Sequence, residues 1–144
     1  METLKIENDI HLFGREVKTF PQGIGEAFDA LQKEIPDGLN RAWYGLSRMK
    51  EGGGILYIAA AAEKFPGEAG KYNCQRYIIK KGAYMAETIP DWMKNIGHIK
   101  DAFDALLKDE WIDTTAYCVE WYKSDEEMVC MVKILESKPV QASH

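Results

Sequence analysis

The chain has 144 residues, the length of one ordinary domain, and 46% of them are apolar, so it can bury a core and disorder is not expected. Its formal net charge is −5 and Lys and Arg form no cluster, which argues against direct binding to DNA or to an anionic membrane. Because there is no signal region and no apolar run long enough to cross a bilayer, we expect a cytoplasmic protein.

The first strand and helix are predicted in residues 10–34. Residues 10–20 have the composition of a strand, and Gly14 within them predicts a β-bulge. Residues 24–34 read IGEAFDALQKE and repeat their apolar side chains at helical spacing. Pro21 is expected in the first turn of that helix.

A β-hairpin follows this helix. Residues 41–49 and 55–62 are rich in apolar and aromatic side chains and flank the Gly-rich segment 50–54. Residues 65–71, FPGEAGK, are predicted to be a linker.

The second half of the chain repeats this order. Two strands are predicted at residues 72–80 and 82–88, followed by a longer helix for which Asp91 is the expected N-cap. A second hairpin closes the pattern, with strands at residues 115–122 and 128–135.

The two helices carry an internal repeat. IGEAFDALQKE at residues 24–34 and IKDAFDALLKD at 99–109 are identical at seven of eleven positions, at a constant offset of 75. We therefore predict a single α+β domain over residues 1–144, built from a strand–helix–hairpin unit used twice, at about 8–64 and 72–136. Two such units related by a pseudo-twofold axis would form antiparallel sheet with both main helices on one face and a ligand cleft on the other.

The cysteines and histidines do not indicate a metal site. Cys74, Cys118 and Cys130 are an odd number without a CxxC pair, and each lies in an apolar, strand-like stretch. The three histidines are far apart in the sequence and have no ligand spacing. No motif requires a metal or an organic cofactor, so we expect neither.

Glu120 is the most unusual residue of the predicted strands. In YCVEWY, alternation places Cys118, Glu120 and Tyr122 on one face, and the acid has no other charged residue in its strand. Burying a carboxylate is costly unless it has a partner or a purpose. It would suit a cationic, flat ligand, or it could act as a general acid or base, or it could simply face solvent. The residue 75 positions earlier is Gly45, which fits an open cleft wall or a bulge.

Several aromatic residues are candidates for the walls of such a cleft. Trp43, Tyr57 and Tyr84 are our candidates, because they lie in the strands that flank the predicted cleft. Trp92 and Trp111 bracket the second helix and are expected to be packing anchors.

Three stretches carry a family resemblance: AWYGLSRMKEGGGILYIAAAAE (42–63), IIKKGAYMAETIPDWM (78–93) and YCVEWYKSDEEMVCMVKI (117–134). Together they resemble the GyrI-like domain, which is also the effector-binding half of multidrug-responsive bacterial transcription activators. The resemblance implies a pseudo-twofold fold, an aromatic cleft and a central acid at Glu120. In the regulators, that acid receives cationic, hydrophobic drugs.

The resemblance leaves three functions open. The first is a stand-alone effector-binding domain that senses or sequesters a hydrophobic small molecule, with the candidate ligand-binding residues Glu120, Trp43, Tyr57, Tyr84, Tyr122, Cys118 and Gly45. The second is a hydrolase of strained, cyclopropane-type electrophiles, in which Glu120 acts as general base or stabilises developing positive charge and Tyr84 or Tyr57 donates a hydrogen bond. The third is a protein that binds and inhibits gyrase. The regulators carry a helix-turn-helix domain ahead of this one, so a role in transcription would require a protein partner here.

Overall fold

The computed structural model describes residues 1–136, which form an antiparallel sheet of eight strands with α-helices packed on it. The predicted α+β class is confirmed. The strands are β1 (Glu2–Ile6), β2 (Ile10–Glu16), β3 (Trp43–Met49), β4 (Ile55–Ala62), β5 (Gln75–Ile79), β6 (Gly82–Pro90), β7 (Cys118–Tyr122) and β8 (Glu127–Lys133). The α-helices are α1 (Ile24–Glu34), α2 (Glu68–Lys71) and α3 (Ile96–Leu106), and 3-10 turns lie at Gly38–Asn40 and Trp92–Lys94.

The order of strands in the sheet is β1-β6-β8-β7-β3-β4-β2-β5. The centre of the sheet is the pairing of β3 with β7, in which Gly45 lies directly opposite Glu120. Each hairpin, β3–β4 and β7–β8, extends outward from this central pairing. The predicted domain runs to residue 144, and residues 137–144 lie outside the described part of the chain.

One face of the sheet is the inside of a curled half-barrel. Alternate residues of the strands meet there in a core that includes Leu12, Leu46 and Val119, each with at most 1% of its surface exposed. The members of this inner core come from the strands and the residue just before β7. Because the sheet curls, these side chains are buried against one another.

The other face carries the two longer helices. Leu31 and Phe28 of α1 pack with Trp43 and Tyr57, in a group that we call the α1 cluster. On the other side of the central pairing, Ala102 and Leu106 of α3 pack with Met128 and Cys130, in the α3 cluster. Tyr122 packs against both clusters, so the α1 cluster and the α3 cluster meet at β7, the strand that carries Glu120.

The elements of the first half agree closely with the sequence analysis. Residues 24–34 form the predicted helix, and residues 55–62 form the predicted strand. The bulge at Gly14 is wrong, because the register runs unbroken through Gly14 on both neighbouring strands. Gly14 instead permits a close approach: a Cβ there would overlap the carbonyl oxygen of Ala59. Pro21 lies before the helix, whose N-cap is Gly23.

The second helix is shorter than predicted. It begins at Ile96, and Asp91 is not its N-cap, because Asp91 has left-handed backbone (φ 49°) and precedes the 3-10 turn at Trp92–Lys94. The Asn95 side chain donates hydrogen bonds to the carbonyl oxygens of Pro90 and Asp91, which holds this turn apart from the helix. Within residues 1–136, no helix is long and apolar enough to cross a membrane.

The segment predicted to be a linker instead packs against the rest of the domain. It contains α2, whose Glu68 is 1% exposed and accepts a hydrogen bond of 2.6 Å from the Arg41 guanidinium. Arg41 also donates to Asp37 at 2.7 Å and to the Ala62 carbonyl at 3.1 Å. Strand β1, which sequence analysis did not predict, pairs along its length with β6.

Replacing Gly14 with Ala should destabilise the protein by about 2–3 kcal/mol, because the new Cβ meets backbone atoms of β4 that cannot move aside. The matched control is Gly25→Ala in α1, where nothing lies within 4 Å of the added Cβ, and which should be stabilising by about 0.5–1 kcal/mol. Urea unfolding measures both. Equal effects of the two substitutions would contradict this account of the β2–β4 contact.

Removing one partner of the buried ion pair should cost more than removing both. Glu68→Ala should lower the free energy of unfolding by about 3 kcal/mol, because it leaves the buried Arg41 guanidinium undercompensated. The double variant Arg41→Met/Glu68→Leu should recover most of that loss in the same urea titration. Asp104→Ala, which breaks the exposed Lys100–Asp104 pair, should leave stability nearly unchanged.

Candidate functional site

Glu120 lies on the helix face of the sheet. Cys118 and Tyr122, its neighbours on the same face of β7, belong to the clusters under α3 and α1. Sequence analysis expected the ligand cleft on the face opposite the helices, and for Glu120 that expectation is wrong. Alternation identifies the residues that share a face but does not identify the face that a helix covers.

The Glu120 carboxylate is bound by two tyrosine hydroxyls. Tyr57, on β4, and Tyr122, two residues along β7, both donate a hydrogen bond to its Oε1 atom, the second at 2.8 Å. The two hydroxyl oxygens lie 3.3 Å apart. Oε1 is therefore fixed between two donors that come from both sides of the central pairing.

The second oxygen of this carboxylate has no partner among residues 1–136. No described residue donates a hydrogen bond to Oε2 of Glu120, and no Lys or Arg of residues 1–136 forms an ion pair with it. Within that range, the only fully enclosed side-chain nitrogen or oxygen without a hydrogen bond is Nε of Arg41. Oε2 is therefore not fully enclosed, and Glu120 as a whole is partly buried.

Burial controls the ionisation of this group. Desolvation raises the pKa of Glu120 above its ordinary value, although hydrogen bonds from Tyr57 and Tyr122 oppose the shift. Burial and the nearby carboxylate also raise the pKa values of both tyrosines, so their hydroxyls stay protonated and continue to donate. The site thus combines a carboxyl group that is hard to ionise with two permanent hydrogen-bond donors.

Aromatic rings surround the two tyrosines. Tyr122 makes edge contacts with Phe28 of α1 and Trp92 of the 3-10 turn, at centroid distances of 5.3 and 5.1 Å. Phe20 stacks on Tyr57 at 5.1 Å. Phe28 and Trp92 are both partly exposed, so the carboxylate is framed by rings that solvent can reach.

Gly45 makes room for this arrangement. A Cβ at this position would overlap both the Tyr57 hydroxyl and Oε1 of Glu120. The continuous β3–β7 register rules out the alternative of a bulge at Gly45. The absence of a side chain on β3 is therefore what allows Tyr57 to reach the carboxylate across the strand between them.

The structure brings most of the predicted ligand-binding residues together. Tyr57, Tyr122 and Gly45 contact Glu120 directly. Trp43 is buried beside Phe28, 6.0 Å between centroids, with its indole N–H donated to the Gly38 carbonyl. Cys118 is half-buried, and burial followed by the Glu120 charge raises its pKa, so it is not a reactive thiolate.

Tyr84 is not part of this group. It belongs to the inner core of the half-barrel, 2% exposed, and its hydroxyl donates to the Lys80 carbonyl at 2.6 Å. Burial raises the pKa of Tyr84 to about 12. The structure therefore does not bring Tyr84 to Glu120, and the role of Tyr84 as a cleft wall stays a prediction.

Sequence analysis missed three aromatic residues of the site. Phe20 and Phe28 were read as part of a strand and of a core stripe, and Trp92 as a packing anchor. Each lies just before a helix or in its first turns, next to the strands that carry the tyrosines. The concentration of rings at these helix starts was a usable signal.

Residues 1–136 contain no group of three or more His, Cys, Asp or Glu side chains placed to bind a metal.

Comparisons with known proteins identify the fold only. No family model matches the chain, and no curated protein matches it. The structure of integron cassette protein VCH_CASS2, from the mobile metagenome of Vibrio cholerae, superposes with a TM-score of 0.66 at 12% identity, over 92% of this chain and 94% of that one. The structure of SAV2435 bound to tetraphenylphosphonium superposes with a TM-score of 0.69 at 11% identity, over 94% and 93%. The chain therefore shares its fold with these two proteins.

Glu120→Gln should make the protein more stable at pH 7. The pKa of Glu120 is raised in the folded state, so wild type loses stability as the pH rises through that raised pKa. The amide keeps an oxygen acceptor for the tyrosines without a buried charge. Thermal unfolding at pH 7 should give a higher Tm for the variant, and the gap should close below about pH 4.5. A variant that is less stable at pH 7 would show that the hydrogen bonds to the charged carboxylate outweigh its desolvation.

Proposed function

We propose that the protein binds a hydrophobic, positively charged small molecule at Glu120, and so senses or sequesters it. The observation that carries the proposal is the incompletely enclosed Oε2 of a carboxylate that has no cationic partner among the described residues. A cation beside Oε2 would replace the missing counter-charge and offset the cost of burying the acid.

The aromatic surroundings support the hydrophobic part of this ligand. Phe28, Trp92 and Tyr122 present rings beside the carboxylate, and aromatic rings attract cations through their faces as well as burying apolar surface. The structural neighbour SAV2435 was solved with tetraphenylphosphonium, which is both hydrophobic and cationic. This neighbour supports a ligand of the same class here.

We also propose that the chain is a GyrI-like domain formed by internal duplication. The AFDAL repeat supports this, as does the strand order, in which β7, β8 and β6 extend to one side of the sheet as β3, β4 and β2 extend to the other. Residues 75 apart, Gly45 and Glu120, pair at the centre.

One observation favours a second candidate function, a hydrolase of strained electrophiles. A carboxylate with a raised pKa beside two hydroxyl donors can accept a proton from water while a hydroxyl group stabilises the leaving atom. Tyr57 and Tyr122 would be the hydrogen-bond donors, a role that sequence analysis gave to Tyr84 or Tyr57.

Tetraphenylphosphonium should bind wild type, and Glu120→Gln should weaken that binding by about tenfold or more, because an unscreened charge interaction is lost. Isothermal titration calorimetry measures both, with triphenylphosphine oxide as the neutral aromatic probe. That probe should bind the two proteins about equally. The control variant Glu126→Gln, which removes an exposed charge, should bind as wild type does.

The same titration, repeated at several pH values, separates the contribution of charge to binding from the contribution of shape. Cation affinity should fall as the pH is lowered through the raised pKa of Glu120, since protonation removes the negative charge, whereas binding of the neutral probe should not change. Recovery of unchanged ligand supports a binding protein, and turnover of a strained electrophile that is lost in Glu120→Gln supports the hydrolase. Undiminished cation binding by Glu120→Gln would overturn the proposal.

A further inference from the structure

A buried lysine lies on the opposite face of the sheet from Glu120. Lys133, the last residue of β8, pairs with Tyr84 on β6 and points to the inside of the half-barrel, as Met131 and Val129 do. It is only 7% exposed. The missing side chain of Gly82 leaves room for the Lys133 ammonium, since a Cβ at residue 82 would lie 3.4 Å from Nζ of Lys133.

The Lys133 ammonium has no partner in the described part of the chain. Nζ forms no hydrogen bond and no ion pair with residues 1–136, and Asp113 influences it only through longer-range attraction. Within that range it is also not among the fully enclosed unpaired atoms, so it keeps access to the space beside it. An ammonium in this position is costly to bury and is set up to receive an anion.

Two cavities meet at this lysine. A cavity of about 440 Å³ opens beside Asp9, Lys80, Lys81 and Glu136, and a groove of about 780 Å³ runs beyond it. They share Asp113, Thr115, Ala116 and Lys133 as lining residues. Cavities of this size accommodate small organic ligands.

Two of the three carboxylates that line the smaller cavity, Asp9 and Asp113, already have hydrogen-bond partners. Asp9 accepts a hydrogen bond of 2.8 Å from the backbone N–H of Lys81, and this bond is the main reason that its pKa is lowered. Asp113 accepts hydrogen bonds from the hydroxyl and backbone N–H of Thr115, at 2.5 and 3.0 Å, which lower its pKa. Asp113 is therefore held in a local turn and Asp9 is bonded to the backbone of the distant Lys81, whereas the buried ammonium of Lys133 is left unpaired among the described residues.

The groove beyond the lysine is largely apolar. It is lined by Leu56, Leu107, Ile112, Tyr117 and Val132. Met49, at 72% exposed, stands at its rim, and the Arg48 guanidinium lies over the Tyr117 ring at 4.9 Å. Such a groove suits an alkyl chain, with Arg48 and Lys50 adding positive charge at its edge.

We propose that this end of the half-barrel is a second ligand site, which takes an amphipathic carboxylate with its head group at Lys133 and its alkyl chain in the groove. The site differs from that at Glu120 in both position and charge preference. It lies at the other end of β7 from Tyr122, because the groove reaches β7 at Cys118.

The test uses three probes with the same eight-carbon chain: octanoate, octanol and octylammonium. Octanoate should bind wild type more tightly than either of the others in calorimetric titration. Lys133→Met keeps the apolar stem and removes the charge, and should weaken octanoate binding at least about tenfold while changing octanol binding little. Lys18→Met, an exposed lysine that lines neither cavity, is the matched control and should bind octanoate as wild type does.

Amide chemical shifts locate the site independently. Octanoate should shift the amides of residues 113–116 and Lys133, and should not displace tetraphenylphosphonium. If Lys133→Met binds octanoate as tightly as wild type does, if octylammonium is preferred, or if wild type binds none of the probes, the proposal is overturned. Thermal unfolding of Lys133→Met confirms that a loss of binding does not come from a loss of folding.

Discussion

The antiparallel pairing of β3 with β7 is the constraint on which both the fold and the candidate site depend. It joins the two hairpins into one sheet, and it sets Gly45 opposite Glu120. Since Gly45 has no side chain, the Tyr57 hydroxyl can cross β3 to reach the carboxylate on β7. A larger residue at this point would separate the acid from its donor, so the central pairing and the hydrogen bonds at Glu120 require each other.

The sheet carries opposite charges on its two faces, the partly buried Glu120 on one and the buried Lys133 on the other. Glu120 lies among aromatic rings under α1 and α3, whereas Lys133 lies at the end of the inner core, beside Tyr84. Neither has a counter-charge in contact within the described residues, unlike Arg41 and Glu68, which neutralise each other. The paired charges stabilise a local contact, and the unpaired ones are the two positions at which we propose that a ligand binds.

Local sequence patterns predicted the helices and strands well, but they predicted poorly which face of the sheet a side chain lies on. The bounds of α1 and β4 followed from apolar spacing and from the Gly-rich turn, and Glu120 was recognised because a lone acid interrupts an aromatic strand. Tyr84 and Glu120 were assigned to one cleft although they lie on opposite faces, because alternation is known within a strand but not between distant strands. Strand β1 was missed because the charged residues Glu2 and Lys5 interrupt its apolar pattern, and because it pairs with β6, which is distant in the sequence. Lys133 could not be recognised from sequence, since a lysine at a strand end is usually solvated.

Strand β7 is short, and its attachment to the sheet is uneven. Its five residues pair along their whole length with β3, but only Val119, Glu120 and Trp121 pair with β8, whereas β3 and β4 share seven register pairs. The β7–β8 pairing is consequently the weakest strand pairing of the central sheet, and local opening events in the native ensemble should concentrate there. Glu120 is the middle residue of this pairing. The part of the molecule best placed to recognise a ligand is therefore also the part with the fewest backbone hydrogen bonds to break when it adapts to one.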